Sequence, residues 1–343
     1  MGKLTLRGGK KIGGGRQPYI VAELNSSHNG KVEIAKQMID AAKDCGCDCV
    51  KFQSWSADSL YADEYYKNNP ISKRIVTKFS LTPDQLLELS KYCKEVGIDF
   101  SSTPYSEEEV DFLVDKTDAP FIKIASMEIN NLPYLKYIGS KGIPIVLSTG
   151  MSTIDEIINA VRAIETTGNK QLCILHCVSV YPAPAEIINL NNMVMLQEKF
   201  PNYVVGYSDH TIGYEIAAAS IALGAALVEK HFTLDNKKMG MDNNMATEPA
   251  EMKSLVNACH SVFSAMGSKT RILLDGEEEQ RLKMRRSLVT TREIPCGAFL
   301  TEADIEAKRP GDGIPPDHLD ELLGKQVKIA IPKGHLIKNE YLN

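Results

Sequence analysis

Gly206-Tyr207-Ser208-Asp209-His210-Thr211 follows directly on the apolar run Tyr203-Val204-Val205, so a buried strand ends in a hydroxyl, a carboxylate and an imidazole. Twenty-one residues beyond His210, the run Ala225-Ala226-Leu227-Val228 closes on Glu229-Lys230-His231 and puts a second imidazole at a second strand end. A lone strand-end histidine is most often a satisfied polar residue of the core. Two on neighbouring strands, with coordination positions left over, suit a divalent metal that must also hold substrate. That reading requires both strands to belong to one barrel.

Moving outward along the chain, the same unit recurs. Tyr19-Ile20-Val21-Ala22-Glu23-Leu24 leads through Asn25-Ser26-Ser27-His28-Asn29-Gly30 into a helical pattern at Ala35, Met38, Ile39 and Ala42. Cys49-Val50-Lys51-Phe52-Gln53 is followed by a long polar loop, after which Leu81-Thr82-Pro83-Asp84 opens a helix. Further strands begin at Asp99, Phe121, Ile143 and Leu172, each ahead of a helix-period segment. Eight apolar runs, continuous rather than alternating, with about eight intervening helices, predict an α/β fold: a parallel TIM (β/α)8 barrel over residues 1–266.

In such barrels the C-terminal rim of the strands holds the active site. Glu23, Lys51, Gln53, Thr103, Lys123, Ser126, Glu128, Ser179, Tyr181, Ser208, His210 and His231 all fall there. Lys51 and Lys123 are set in apolar sequence where solvation is poor, so each needs an anionic partner. With the hydroxyls of Thr103, Ser126 and Ser208 they would cradle a small phosphorylated carboxylate.

Of the 343 residues, 43% are hydrophobic and 24% charged, and the net charge is -5, which gives no general attraction to nucleic acid or anionic membrane. The stretch 1–15 is basic and glycine-rich without an apolar core, and no run reaches the ~18 residues of a membrane span, so a cytoplasmic protein is expected. Eight scattered cysteines, including the triplet Cys45, Cys47 and Cys49 with no second cluster, read as buried reduced thiols rather than zinc ligands or disulfides. Residues 267–286 read as a polar linker. Residues 287–343, broken by Pro295-Cys296-Gly297, Arg309-Pro310-Gly311 and Pro332-Lys333-Gly334, read as a small, mostly irregular β domain.

These motifs, with Ser102-Thr103-Pro104, Lys123-Ile124-Ala125-Ser126-Met127-Glu128, Ser148-Thr149-Gly150-Met151, His176-Cys177 and Lys230-His231-Phe232-Thr233, resemble the sialic acid synthase family over nearly the whole chain. The part around Lys308-Arg309-Pro310-Gly311 resembles the antifreeze-like (SAF) domain that such synthases carry after the barrel. The resemblance implies condensation of phosphoenolpyruvate with an N-acetylated amino sugar of the N-acetylmannosamine type. It implies His210 and His231 as ligands of Mn2+ or Mg2+, and Lys51, Thr103, Lys123, Ser126, Ser179 and Ser208 as phosphoenolpyruvate ligands. Gln53, Glu128, Tyr181 and Asp242 would face the sugar, and Glu23 would handle the proton of a water at the reacting centre. Arg309 would reach the sugar in the partner subunit's site, within a domain-swapped homodimer.

Two departures bear on this. Ser179 stands where the family often has asparagine before the Tyr-Pro pair, and Met239-Gly240-Met241-Asp242-Asn243-Asn244 replaces a Pro-Gly-Pro-Asp-His run. A diacetamido trideoxyhexose, giving legionaminic or pseudaminic acid, is the alternative sugar. A barrel acting on a sugar phosphate would need a second cluster of strand-end cations, which is not found. A non-catalytic sugar-binding protein would have no physical need for buried lysines and paired imidazoles.

Overall fold

The computed structural model describes residues 2–343, which divide into two compact units at Gly267/Ser268. The N-terminal segment, where only the absence of a secretory signal was expected, forms an antiparallel hairpin of β1 (Lys3–Thr5) and β2 (Lys11–Gly13). Eight parallel strands follow. They are β3 (Tyr19–Glu23), β4 (Cys49–Gln53), β5 (Asp99–Thr103), β6 (Ile122–Ile124), β7 (Ile145–Ser148), β8 (Leu172–Cys177), β9 (Val204–Asp209) and β10 (Leu227–His231).

Their spatial order is β5-β4-β3-β10-β9-β8-β7-β6, so the first and last barrel strands are hydrogen-bonded neighbours, as closure requires. The seam lies between β5 and β6. There β6 is only three residues long, and the Ser101 hydroxyl donates to the Phe121 carbonyl at 3.0 Å. This is the expected TIM-like architecture.

The strand pleat sorts side chains into two sets. Outward-facing Ile20, Val50, Phe100, Ile124, Leu147, Ile174 and Val228 pack beneath the helices. The inward set is layered. Tyr19, Val21, Cys49, Phe121, Val146, Leu175 and Leu227 form an apolar floor, and the hairpin seals it from below with Leu4, Leu6 and Ile12. Each such side chain, fully buried, contributes roughly 1.5–3 kcal/mol. Above the floor the inward positions Glu23, Lys51, Lys123, Ser208, Glu229 and His231 are polar and buried, so the floor bounds the depth of the site.

Helix ends follow local chemistry. Thr82 caps Pro83–Val96 in a reciprocal box with Gln85, and Thr153 does the same with Glu156 for Ile154–Glu165. The segment after β4, expected as a polar loop, instead carries three short helices, Ala57–Leu60, Asp63–Asn68 and Pro70–Phe79. Val76 and Phe79 bury themselves with Trp55, which fixes this insertion at the rim.

The second unit contains β11 (Ser287–Thr290) paired antiparallel with β12 (Ile305–Lys308), short 3-10 turns and isolated bridges. Its core is a small cluster of Leu288, Ile294, Leu300, Leu322, Val327, Ile331, Ile337 and Leu342. Residues 267–286, read as linker, include the helix Asp275–Met284. All eight cysteines are free thiols, but Cys296 is exposed, against the expectation that all are buried, because it sits in the Pro295-Cys296-Gly297 turn.

Candidate active site

A cavity of about 330 Å3 opens at the C-terminal end of the barrel. Twelve of the fourteen residues singled out from the sequence line it: Glu23, Lys51, Gln53, Thr103, Lys123, Ser126, Ser179, Tyr181, Ser208, His210, His231 and Asp242. Glu128 does not. It lies on the 3-10 turn after β6 and accepts from Asn131 Nδ2 at 2.9 Å. Arg309 lies in the second unit, exposed, in the loop that follows β12.

At the base of the cavity two lysines alternate with two carboxylates. Lys51 pairs with Glu23 and donates to Thr103 Oγ1 at 3.1 Å. Glu229 Oε1 accepts from Lys123 Nζ at 3.1 Å and from Ser208 Oγ at 3.1 Å, while its Oε2 stands 3.8 Å from Lys51 Nζ. All four groups are buried. The anionic partners that the lysines needed are therefore already in the protein.

Glu229 is the site residue missed in the sequence. It lies two positions before His231 on β10, so the pleat aims both inward, and that alternation was the available signal. Burial alone would raise its carboxyl, but Lys123 and Lys51 hold it down at about 2. Glu23 behaves oppositely. Burial, with the like charge of Glu229, raises it above the usual range against the pull of Lys51. Glu23 Oε1 also accepts from Gln53 Nε2 at 3.1 Å and from the Asn25 amide at 3.0 Å.

The alternation also divides Ser208-Asp209-His210 between two faces of β9. Asp209 faces away from the cavity and pairs with Lys230 at 2.7 Å, both side chains wholly buried. Lys230 donates further to the Thr211 carbonyl, and Asp209 accepts from Tyr207 OH, so each partner has a second bond and the pair ties β9 to β10. Only Ser208 and His210 of that motif reach the site.

His210 and His231 face one another, with ring centroids 5.5 Å apart. A 2.7 Å hydrogen bond between His210 Nδ1 and the Val178 carbonyl requires the proton on Nδ1 and leaves Nε2 open, the arrangement metal-binding histidines usually have. Burial lowers the pKa of both rings, and in His231 the neighbouring His210 lowers it further. Both are neutral near pH 7, as ligands must be. Tyr181 covers His210, centroids 4.2 Å apart. Among the described residues no group of three or more His, Cys, Asp or Glu forms a closed cage. Two imidazoles thus fit an ion whose other positions remain free for substrate and water.

Other lining residues set the walls. Ser126 Oγ accepts from the Gly150 amide at 3.0 Å and lies 3.1 Å from Cys177 Sγ. A side chain at Gly150 would collide with Ser179, Cys177 and Ser126, so glycine is required for the hydroxyls to converge. Asn25, held at φ 39°, donates to Asp242 Oδ2 at 2.6 Å, and the Met241 amide donates to Ser26 Oγ at 2.9 Å. These two bonds fasten the loop after β10 to the loop after β3. Trp55 Nε1 donates to Gln53 Oε1 at 2.7 Å, so the helical insertion orients the amide that touches Glu23.

Comparison with known proteins places this geometry. The NeuB family pattern matches residues 38–271 and the SAF domain pattern residues 285–342. N,N'-diacetyllegionaminic acid synthase of Legionella pneumophila is 34% identical over 350 residues, covering 98% of each chain. Human N-acetylneuraminate-9-phosphate synthase is 34% identical, over 99% of this chain and 97% of its own. The crystal structure of N-acetylneuraminic acid (sialic acid) synthetase from Leptospira borgpetersenii superimposes with a TM-score of 0.75 at 30% identity, covering 81% of this chain and 94% of its own. The chain belongs to the NeuB family, whose relatives here are sialic and legionaminic acid synthases, and it ends in an SAF domain. No helix among the described residues is long and apolar enough to cross a membrane.

Proposed function

We propose that the chain condenses phosphoenolpyruvate with an N-acetylated amino sugar and water, giving a nine-carbon sugar acid and phosphate. One observation carries this reading: two buried ammonium groups and two neutral imidazoles share a single cavity at the strand ends. Phosphate and carboxylate oxygens need the first pair, and a sugar aldehyde is served by the second.

Lys51 and Lys123, with the hydroxyls of Thr103, Ser126, Ser179 and Ser208, bind phosphoenolpyruvate. Its negative charge takes over part of the ammonium field now spent on Glu23 and Glu229. His210 and His231 would hold Mn2+ or Mg2+, which when bound polarises the aldehyde oxygen and stabilises the charge that develops on it. Gln53, Tyr181 and Asp242 orient the sugar so that its aldehyde carbon meets the enol carbon. The new carbon-carbon bond forms from the enol electron pair, and the aldehyde oxygen ends as a hydroxyl. Water then adds to the phosphate-bearing carbon and gives one proton to Glu23, whose raised pKa suits a base. As the carbon-oxygen bond to phosphate breaks and leaves a ketone, the second proton of the water is released, so that the water's two protons end on the former aldehyde oxygen and on the departing phosphate, whose oxygens the lysines neutralise.

Residues 1–266 would carry this chemistry, and residues 287–343 would deliver Arg309 to the sugar in a partner subunit's barrel. Glu128 keeps a sugar-facing role in this scheme only through such a covered site, since it stands outside the cavity of the isolated barrel. The deciding experiment is phosphate release from phosphoenolpyruvate across a panel of amino sugars with added manganese. Release that no sugar raises above the sugar-free background would refute the synthase reading.

A further inference from the structure

Resting on that reading, we propose that Ser287 is a positioning residue: its buried hydroxyl holds the 309–313 loop in one shape and so presents the Arg309 guanidinium in a set orientation for the sugar. The loop starts and ends at the same place. Ser287 of β11 pairs with Lys308 of β12, and the Leu288 amide donates to the Ile314 carbonyl at 2.8 Å, so both ends are tied to adjacent positions of one strand. Between those ends the Ser287 side chain bonds in both senses. Its Oγ donates to the Pro310 carbonyl at 2.7 Å and accepts from the Gly313 amide at 2.9 Å. A hydroxyl has one proton to give and lone pairs to receive, so the two bonds are compatible.

A further bond holds the loop from its other side. The Gly311 amide donates to the Leu282 carbonyl at 2.7 Å, in the last turn of the helix Asp275–Met284. A side-chain carbon at Gly311 would stand 2.5 Å from the Arg281 carbonyl oxygen, so only glycine comes this close. All of these groups lie within the second unit. Ser287 is wholly buried, whereas Arg309 is exposed and, among the described residues, takes part in no ion pair of that unit. A fixed backbone beneath an unpaired cation suits recognition. The loop needs no ordering when it meets the sugar, and the guanidinium gives up no partner to do so.

The test uses N-acetylmannosamine or a diacetamido trideoxyhexose, whichever is turned over faster, with manganese present. It measures kcat/KM for the sugar and the KM for phosphoenolpyruvate in Ser287→Ala, Arg309→Lys and the double variant. Ser287→Ala should lose about tenfold in kcat/KM for the sugar and leave the KM for phosphoenolpyruvate unchanged, since a misplacement of about 1 Å suffices for such a loss. Lysine keeps the charge but carries it on a flexible stem, without the planar fork that a set backbone aims. In the Arg309→Lys background the serine change should therefore cost less than about twofold, whereas a general loss of stability would cost the same in both backgrounds. Gly311→Ala displaces the loop from the other side, should repeat this pattern, and serves in its place if Ser287→Ala does not fold. Unaltered kinetics in Ser287→Ala and Gly311→Ala, or equal losses with and without Arg309, overturns the inference and leaves the synthase reading standing. No sugar-dependent phosphate release by the unaltered protein sinks the synthase reading itself, and this inference with it.

Discussion

Glu229 lies between Lys123 and Lys51, with Oε1 3.1 Å from one ammonium and Oε2 3.8 Å from the other. A carboxylate so placed lets two buried cations coexist side by side, and it also competes with any anionic substrate for them. Glu229→Gln should therefore destabilise the barrel by roughly 3 kcal/mol, because breaking a buried pair leaves its partner unpaired. Adding Lys123→Met to that variant should return part of the loss. Urea denaturation of the three proteins checks both steps, and an unchanged midpoint in Glu229→Gln would contradict the pairing. Lys51→Ala and Lys123→Ala should each lower kcat/KM for phosphoenolpyruvate by about 100-fold or more, with a smaller effect on the sugar KM.

The facing rings of His210 and His231 predict dependence on a divalent ion. Chelator should abolish activity and Mn2+ should restore it. His231→Ala should lose more than about tenfold in rate, or 1.4 kcal/mol of barrier. Calorimetric titration supplies a readout apart from turnover: the protein should bind one Mn2+, and the His210→Ala, His231→Ala double variant none.

Glu23 must be ionised to accept a proton, and burial raises its pKa above the ordinary value of 4.5. Activity should thus fail on acidification earlier than an ordinary glutamate would allow. The acid limb of kcat/KM should bend above pH 4.5, and Glu23→Gln should show a low residual rate without that limb. A limb that persists in Glu23→Gln would assign the proton to another group.

His28 is a stability group rather than a catalytic one. It is buried against Phe52, and its Nδ1 accepts from the Gly30 amide at 3.0 Å, which requires a neutral ring. Burial lowers it from 6.5 to about 4. The unfolded chain takes up a proton below pH 6.5 and the folded one does not, so this contribution is complete above pH 6.5 and is lost as pH falls toward 4. The gap corresponds to roughly 3 kcal/mol. The stability difference between the protein and His28→Gln should shrink across that interval in denaturation experiments, and a constant difference would rule the ring out.

Arg309 should act across a dimer. Arg309→Ala and His210→Ala, each inactive, should regain activity when co-expressed, because one site of each mixed dimer then has an intact barrel and an intact arginine. Mixed dimers, verified by mass, that stay inactive would place Arg309 within its own subunit or outside the reaction.

The barrel was legible in the sequence because its signals are local. Continuous apolar runs, Thr82-Pro83 and Thr153 as helix starts, and polar residues clustered at strand ends all depend on neighbours a few positions away. Strand alternation would even have aimed Glu229 inward from His231. The partnerships were not legible, because they join residues far apart in the chain. Lys123 meets Glu229 across 106 positions, and Asn25 meets Asp242 across 217. The sequence of Ser208-Asp209-His210 places three functional groups in a row, but only the pleat of β9 decides that Asp209 turns away to pair with Lys230. Likewise Tyr61 to Phe79 looks polar enough for a loop until Val76 and Phe79 find Trp55 and make helices worth forming. Local sequence determined which elements exist and which residues face the barrel's end. Closure of the sheet decided which charges neutralise one another there, since only burial at contact distance makes a carboxylate and an ammonium depend on each other.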